Sequence, residues 1–220
     1  MRAVLLPVKD PIRAKQRLSG FLEPKERYQL AWAMLRDVAQ ALCGSQRADR
    51  IMVVARDPDV RAFARSLGWE CMPESEQASE SISVDLASLE LKRRGVSVVL
   101  RLPGDIPLVT SADVDGLLEI APPAPAAVLV PSSDGRGTNA LLRTPPDVFP
   151  ARFGPNSLRL HELEARRAGA TFTRAPNRRI ALDLDEPTDL IKFLEHGPSG
   201  ATSSLLRSLD VKRRFEHVLA

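Results

Sequence analysis

The sequence predicts an α/β protein with a mainly parallel, mixed sheet and helices on both faces. Short, largely apolar runs typical of buried strands alternate along the chain with longer stretches of helical spacing. The 220 residues are 44% hydrophobic and 27% charged, an ordinary composition for a folded domain. This length predicts one domain, with room for a tail.

The strands of the amino-terminal half are predicted from short apolar runs. They are Ala3–Leu6, Ile51–Ala55, the shorter run 69–72 and Val96–Leu102. The helices between them begin at proline or at capping residues and end at glycines. They are Pro24–Leu42, a helix capped by Asp57 that ends near Gly68, and Ser81–Arg94.

The carboxyl-terminal half continues the alternation with shorter elements. Its predicted strands are Ala126–Val130, Thr138–Arg143, Thr171–Thr173 and Ile180–Leu182. Its predicted helices are one capped by Ser111 that runs to Ile120, one capped by Asn156 that runs to Ala168, and Pro187–Leu194. The domain spans 1–195, the Gly- and Ser-rich segment 196–204 is predicted to be a linker, and 205–220 is predicted to be a basic helical tail.

Composition excludes two classes of partner. The net charge is only +3, aromatic residues make up 5%, and the basic residues are scattered, so no nucleic-acid surface is predicted. No apolar run approaches 18 residues, so no membrane span is predicted. The apolar stretch at the start is too short for a signal peptide, which predicts a cytoplasmic protein. A homodimer is the default assembly.

The loop after the first predicted strand is rich in cations. Lys9, Arg13, Lys15 and Arg17 lie within nine positions, and in an open α/β sheet ligands bind beyond the carboxyl ends of the strands. Cations there neutralise nucleotide phosphates. The loop has no glycines and therefore matches neither a P-loop nor a dinucleotide fingerprint. A solvated surface loop is the alternative reading.

Aspartates follow two further predicted strands. Asp105 lies between two prolines just after the strongest strand, and Asp183 and Asp185 alternate at the end of the strand predicted over Ile180–Leu182. Alternation along a strand puts both of these side chains on one side. Magnesium binds through one or two carboxylates together with substrate oxygens, so these residues are candidate metal ligands. A turn or cap role for Asp105 is the alternative.

Two more loops suit a phosphorylated acid. One is the glycine-rich segment Ser132–Asn139, which enters a strand, and the other is Arg152–Ser157, which opens a helix. The helix start and the Ser157 hydroxyl form an anion site. The sequence shows no catalytic triad and no Cys/His metal spacing. His161 follows Ser157 by one helical turn and is as consistent with packing as with catalysis.

The ordered set of these motifs resembles a known family. The segments are Pro7–Lys9, Ala14–Ser19, Glu26–Arg27, Pro103–Leu108, Gly137–Leu142, Arg152–Ser157 with His161, and Asp183–Leu190. Over residues 1 to about 195 they resemble the 2-phospho-L-lactate guanylyltransferases and their phosphoenolpyruvate-using relatives, which act in coenzyme F-420 biosynthesis. The single motifs are weak, but their order is specific.

The resemblance implies a single-domain, Rossmann-like nucleotidyltransferase with GTP as co-substrate and magnesium as cofactor. It implies catalytic roles for Lys15, Asp105 and Asp185, with Asp105, Asp183 and Asp185 as metal ligands. The implied nucleotide-phosphate contacts are Lys9, Lys15 and Arg17. The implied contacts of the phosphorylated acid are Thr138, Asn139, Gly154 and Ser157.

The implied reaction transfers GMP to the phosphate of 2-phospho-L-lactate, phosphoenolpyruvate or 3-phosphoglycerate and releases pyrophosphate. The sequence departs from the family at Ser79–Asp85, where relatives often carry a Gly-Leu-Asn-like segment near the guanine and ribose. Two alternatives stay open. One is a nucleotidyltransferase with a molybdopterin or sugar-type acceptor, and the other is a nucleotide-binding module without catalysis.

Overall fold

A single sheet organises the chain. The computed structural model describes residues 1–73, 79–197 and 199–219. Within these residues, seven strands pair into one sheet. The strands are β1 (Arg2–Val8), β2 (Arg50–Ala55), β3 (Glu70–Pro73), β4 (Val98–Arg101), β5 (Ala126–Pro131), β6 (Thr138–Thr144) and β7 (Thr171–Arg174).

The helices of the described residues follow the alternation expected from the sequence. They are α1 (Pro24–Cys43), α2 (Pro58–Ser66), α3 (Glu80–Arg93), α4 (Ser111–Glu119), α5 (Ser157–Arg167), α6 (Arg178–Ala181), α7 (Pro187–Glu195), α8 (Ala201–Ser208) and α9 (Val211–Leu219). Asp57 caps α2 as predicted, since its side chain accepts hydrogen bonds from two backbone N–H groups of the first turn. No helix in the described ranges is both long and apolar enough to cross a membrane.

The strand order is β3-β2-β1-β4-β6-β5-β7. All neighbouring strands are parallel except at β6, which is antiparallel to both β4 and β5. The prediction of a mainly parallel, mixed sheet is therefore confirmed. The order reverses between β1 and β4, and a crevice at such a point is where ligands bind in open α/β sheets. Because β6 runs backwards, its first residues, Thr138 and Asn139, lie at the same edge as the carboxyl end of β4.

Both faces of the sheet are buried under helices. One face packs apolar side chains of β1, β2, β4, β5 and β6 against α1, α2, α4 and α6. The opposite face packs against α3 over β1, β2 and β4, and against α5 over β5 and β6. Burial on both faces explains why the strands are continuous apolar runs with no polar alternation.

The carboxyl-terminal helices dock on the domain. A further apolar cluster joins α1, α7, α8 and α9 to the loops after β1 and β4. Asp37 of α1 accepts hydrogen bonds of 2.8 Å from the backbone N–H groups of Ala201 and Thr202 at the start of α8. Arg214 of α9 forms a two-bond ion pair with Glu26 at 2.8 Å. These contacts secure both ends of the segment.

This arrangement corrects the expected boundary between linker and tail. The segment predicted as a linker over 196–204 includes the first turn of α8, and the tail is two helices that meet near Asp210, whose φ is 50°. Gly200 allows the close approach to α1, because it has a φ of 138° and a Cβ there would meet the Asp37 carboxylate at 2.6 Å.

The strand predicted over Ile180–Leu182 is wrong. Residues Arg178–Ala181 form one helical turn, α6, whose first N–H groups are capped by the Asn177 side chain. The carbonyls of Ile180 and Ala181 accept hydrogen bonds from the Asn139 side-chain amide and do not take part in strand pairing. A three-residue apolar run carries no period that separates strand from helix. The cap of α4 also differs, since Thr110 and not Ser111 closes its capping box with Asp113.

Candidate active site

A lysine and two aspartates meet at the crevice between β1 and β4. The ammonium of Lys15 donates hydrogen bonds of 2.7 Å to Asp105 and 2.7 Å to Asp185. Lys15 lies between two 3₁₀ turns, Pro11–Arg13 and Gln16–Leu18, and has a left-handed backbone with a φ of 57°. That turn directs the side chain inward, where only 5% of it is exposed. Three separate loops thus converge on one cation.

The charged groups of this cluster stabilise one another in their ionised forms. Burial alone lowers the pKa of Lys15, but the charges of Asp105 and Asp185 outweigh it, and the net pKa is raised. Burial alone raises the pKa of Asp105, but Lys15 and then Arg101 outweigh it, and the net pKa is lowered. Lysine and aspartate are therefore ionised together at neutral pH.

Asp183 joins this cluster to Asn139 at the start of β6. Burial, then the charges of Asp105 and Asp185, raise the pKa of its carboxyl, although the Asn139 amide opposes the shift. The Asn139 amide donates to Asp183 at 3.1 Å. Both aspartates predicted from strand alternation are therefore at the site, but they reach it from the irregular segment after α6 and not from a strand.

The donor set suits a divalent cation bound together with phosphates. Among the described residues no group of three or more His, Cys, Asp or Glu side chains is arranged as a metal site by itself. Two carboxylates nevertheless share one cation, the Lys15 ammonium, and a third carboxylate beside them has a raised pKa. The three carboxylates together therefore carry more negative charge than the Lys15 ammonium alone neutralises. Magnesium typically uses one or two carboxylates and takes its remaining oxygens from water and phosphates.

The other two cations predicted for nucleotide phosphates lie around the rim. Arg17 is exposed, and its guanidinium lies 3.7 Å from Asp185. Lys9 is also exposed, and its ammonium lies 3.9 Å from Glu80 at the start of α3. Both are close to the Lys15 cluster and free to reorient toward a ligand, since surface pairs of this kind contribute little stability.

The residues predicted to hold the phosphorylated acid converge from β6 and the start of α5. Thr138 and Ser157 are buried, with 7% and 2% of each residue exposed. Ser157 is the first residue of α5, and its N–H bonds back to the carbonyl of Gly154 at 3.2 Å. Gly154 has a φ of 121° and Asn156 a φ of 58°, so this turn needs left-handed backbone twice. Asn156 precedes α5 as predicted but makes no side-chain cap.

Arg101 is a site residue that the sequence analysis did not single out. It ends β4 with 6% exposure, donates to the Asn139 carbonyl at 3.2 Å and pairs with Glu80. Its guanidinium carbon also lies 4.2 Å from the centre of the Phe153 ring. Arg101 therefore links β6, α3 and the loop before α5. The signal was a charged residue inside an otherwise apolar strand.

The Ser79–Asp85 segment forms the cap and first turns of α3, and it contacts the loop before α5. The Ser81 hydroxyl accepts a 2.8 Å hydrogen bond from the Phe153 N–H, and Asp85 accepts from the Ala151 N–H at 3.0 Å. Asp85 is fixed in turn by the buried Arg143 at 2.7 Å. The segment that departs from the family pattern thus supports the loop before α5.

Solved structures show which known fold the protein shares. A nucleotidyl transferase from Methanothermobacter thermautotrophicus matches with a TM-score of 0.67 and 16% identity over 94% of this chain and 99% of that chain. A Desulfovibrio desulfuricans protein assigned to the nucleotide-diphospho-sugar transferases matches with a TM-score of 0.80 and 20% identity over 97% of each chain. The architecture is that of a nucleotidyltransferase, as predicted.

Sequence comparison then gives the family. The chain belongs to the guanylyl transferase CofC-like family, whose model matches residues 1–220. A phosphoenolpyruvate guanylyltransferase of Rubrobacter xylanophilus is 39% identical over 197 residues, covering 88% of this chain and 93% of the relative. A 2-phospho-L-lactate guanylyltransferase of M. thermautotrophicus is 34% identical over 209 residues, covering 93% and 89%. The resemblance inferred from the sequence motifs is confirmed.

Proposed function

We propose that this protein transfers GMP from GTP to the phosphate of a phosphorylated three-carbon acid and releases pyrophosphate, as a step of coenzyme F-420 biosynthesis. One observation carries the proposal: the cluster of Lys15, Asp105 and Asp185 lies beside the start of β6 at the sheet edge. Asn139 connects this cluster to the residues proposed for the acid, since it follows Thr138 in β6 and donates to Asp183. The proposed reaction needs two regions of this kind, one for the triphosphate of GTP and one for the phosphorylated acid.

The first half accommodates the triphosphate. Lys15 is the proposed catalytic cation, and Lys9 and Arg17 are proposed to contact the outer phosphates from the rim. Asp105 and Asp185, with Asp183 behind them, would hold magnesium, which would neutralise phosphate charge and orient the α-phosphate. The shared Lys15 ammonium supports this role, because the same carboxylates already converge on one cation.

The second half accommodates the acid. The proposed contacts are the Thr138 and Ser157 hydroxyls, Asn139, and the backbone at Gly154. The start of α5 favours an anion through its partial positive charge, although the N–H groups of Ser157 and Leu158 already donate to the carbonyls of Gly154 and Arg136. These residues therefore suit a phosphate or carboxylate better than a neutral sugar.

The chemistry needs no general base. A phosphate oxygen of the acid forms a bond to the α-phosphorus of GTP, while the bond from that phosphorus to the bridging oxygen breaks. Pyrophosphate leaves with the bonding electron pair, and no proton has to be removed because the nucleophile is already an anion. Positioning and charge neutralisation then supply most of the rate acceleration, which is consistent with a site that has lysine and aspartates but no Ser/His or Cys/His pair.

The acid itself is chosen by pocket geometry, since the three candidates differ by a few atoms. The relatives of 39% and 36% identity are named phosphoenolpyruvate guanylyltransferases, whereas a relative of 34% identity is named for 2-phospho-L-lactate. We therefore propose phosphoenolpyruvate as the first acid to test. A homodimer and a cytoplasmic location stay predictions.

The test is a pyrophosphate-release assay on the purified protein with magnesium and GTP. Phosphoenolpyruvate, 2-phospho-L-lactate, 3-phosphoglycerate, a sugar phosphate and a molybdopterin are compared with a blank that lacks an acceptor, and each is repeated with ATP, CTP and UTP. Release with GTP and one acid supports the proposal and identifies the substrate. Release only with a sugar phosphate or molybdopterin acceptor would replace it with the first alternative, and GTP binding without any turnover would replace it with the second.

A further inference from the structure

His161 is a fully buried histidine that the proposed reaction does not use directly. It lies on α5 one turn after Ser157, with no exposed surface. Both ring nitrogens have partners. Nδ1 lies 3.0 Å from the Thr138 hydroxyl, and Nε2 accepts a 2.8 Å hydrogen bond from the Arg152 backbone N–H. The side chain therefore contacts β6 and the loop before α5 from a position on α5.

These partners determine where the ring hydrogen is. A backbone N–H only donates, so Nε2 must be the acceptor nitrogen and the neutral ring carries its hydrogen on Nδ1. Nδ1 then donates to the Thr138 oxygen. Burial, followed by the guanidinium groups of Arg143, Arg101 and Arg152, lowers the pKa of His161 to about 3, which keeps the ring neutral near pH 7.

The consequence falls on Thr138. Its oxygen already accepts a hydrogen bond from Nδ1, so its own hydrogen cannot point to His161 and remains available to another acceptor. A phosphate or carboxylate has only acceptors for such a contact, and a hydroxyl that is fixed as a donor suits it. A freely rotating hydroxyl would lose part of that preference.

We propose that His161 is a positioning residue that fixes the Thr138 hydroxyl as a donor to an anionic group of the phosphorylated acid. Through the Arg152 N–H, it also holds the loop that leads to Gly154 and Ser157. This inference rests on the proposed function, because it assigns a role to the acid-binding half of that site. The acid interacts with Thr138 and not with the imidazole.

The surroundings restrict the ring to this orientation. The Phe153 ring contacts the imidazole edge-on with centroids 5.0 Å apart, and the Phe149 centroid lies 6.4 Å away. The Thr138 backbone is fixed as well, since Arg101 donates to the carbonyl of the following residue, Asn139, at 3.2 Å. A ring flip would place a C–H against the Arg152 N–H and leave that partly buried donor unpaired.

The first experiment measures the tautomer in the wild-type protein. The ¹⁵N chemical shifts of the His161 ring are recorded at pH 7 without substrate, so the result does not depend on turnover. A neutral ring with hydrogen on Nδ1 is expected. A ring with hydrogen on Nε2, or a charged ring, would overturn the proposal.

The second experiment is a double-mutant cycle with His161→Gln and Thr138→Val. Gln reaches the Nε2 position and keeps an acceptor for Arg152 but loses the donor to Thr138. We expect each single change to raise the KM for the acid about 10- to 100-fold, the range of a lost hydrogen bond to a charged group, with the KM for GTP unchanged. In the Thr138→Val background, His161→Gln should add less than about threefold.

Two further variants separate positioning from a general loss of structure. Thr138→Ser keeps the hydroxyl and should raise the KM for the acid less than Thr138→Val does, and His161→Asn, whose amide lies near the Nδ1 position, should be milder than His161→Gln. Independent, multiplying effects of the two single changes would overturn the proposal. Calorimetric binding of phosphoenolpyruvate completes the same cycle if wild type shows no turnover, an outcome that would count against the proposed function and not against the tautomer.

Discussion

Replacing Lys15 with methionine tests the central cluster through stability as well as activity. The ammonium is 5% exposed and lies 2.7 Å from Asp105 and from Asp185, whose side chains are 31% and 36% exposed. Lys15→Met leaves these carboxylates facing each other and Asp183 without a cation between them. The cost lies between that of an exposed pair, below about 1 kcal/mol, and that of a broken buried pair, about 3–5 kcal/mol.

We therefore expect the free energy of unfolding to fall by about 2 kcal/mol, which lowers the melting temperature by about 4–8 °C for a domain of this size. Thermal unfolding is measured at pH 7 in the presence of a chelator, and again with magnesium. Magnesium should restore part of the loss in the variant, since a divalent cation neutralises the same carboxylates. The turnover number should fall by about 100-fold or more, the effect of removing one preorganised charge from a phosphoryl-transfer site.

Lys192→Met is the matched control. Lys192 is an exposed lysine, 3.3 Å from Asp189 on α7, and its loss should leave the melting temperature within about 1–2 °C of wild type. An unchanged or raised melting temperature in Lys15→Met, together with no response to magnesium, would refute the reasoning. It would mean that the free energy lost by burying the Lys15 ammonium equals the free energy gained from its attraction to the two carboxylates.

Three other changes probe separate parts of the protein. Asp105→Asn should lower turnover about 100-fold or more while unfolding stays cooperative. The control Asp147→Asn, which removes the ion-pair partner of Lys92 outside the site, should stay active, and a fully active Asp105→Asn would remove Asp105 from the mechanism. Because the folded pKa of His161, about 3, lies below the unfolded value of about 6.5, the unfolded chain takes up a proton first as the pH falls. Wild type should lose about 2 kcal/mol more stability than His161→Asn between pH 7 and pH 5, measured by urea unfolding, and equal losses would contradict the assignment. Asp37→Ala removes two hydrogen bonds at the start of α8 and should cost about 1 kcal/mol, or about 2–4 °C in melting temperature; an unchanged value would show that the apolar contacts alone hold the segment.

The sheet could be predicted from the sequence because burial on both faces requires continuous apolar strands. The carboxyl ends of parallel strands share an edge, so Lys15 and Asp105 could be expected near one another after β1 and β4. Asp185 joins them from the segment after α6 and not from the strand predicted for it. The error over Ile180–Leu182 has a physical cause. Three apolar residues satisfy a strand or a helical turn equally, and the Asn177 cap and the Asn139 amide decide between them through contacts that pattern alone does not contain.

The details of the site depended on packing. The left-handed backbone at Lys15 belongs to a residue type that rarely adopts it, so the direction of this side chain was not visible in the sequence. His161 was noted, but its role follows from two hydrogen bonds across 23 and 9 residues of sequence separation. Arg101 was indicated in the sequence by its charge within an apolar strand. No sequence pattern indicated that β6 runs antiparallel, the direction that brings Thr138 to this edge.

The docked helices α8 and α9 have a consequence for how the molecule opens. Leu206 and Val211 share an apolar cluster with Leu18, which follows the Lys15 loop, and with Leu184, which separates Asp183 from Asp185. Local unfolding of α8 and α9 would therefore remove apolar contacts that support the loops carrying Lys15, Asp183 and Asp185. Amide hydrogens of α8 should exchange with solvent in the same opening event as those around Leu18, so that the last helices and the loops carrying Lys15 and Asp185 form one cooperative unit.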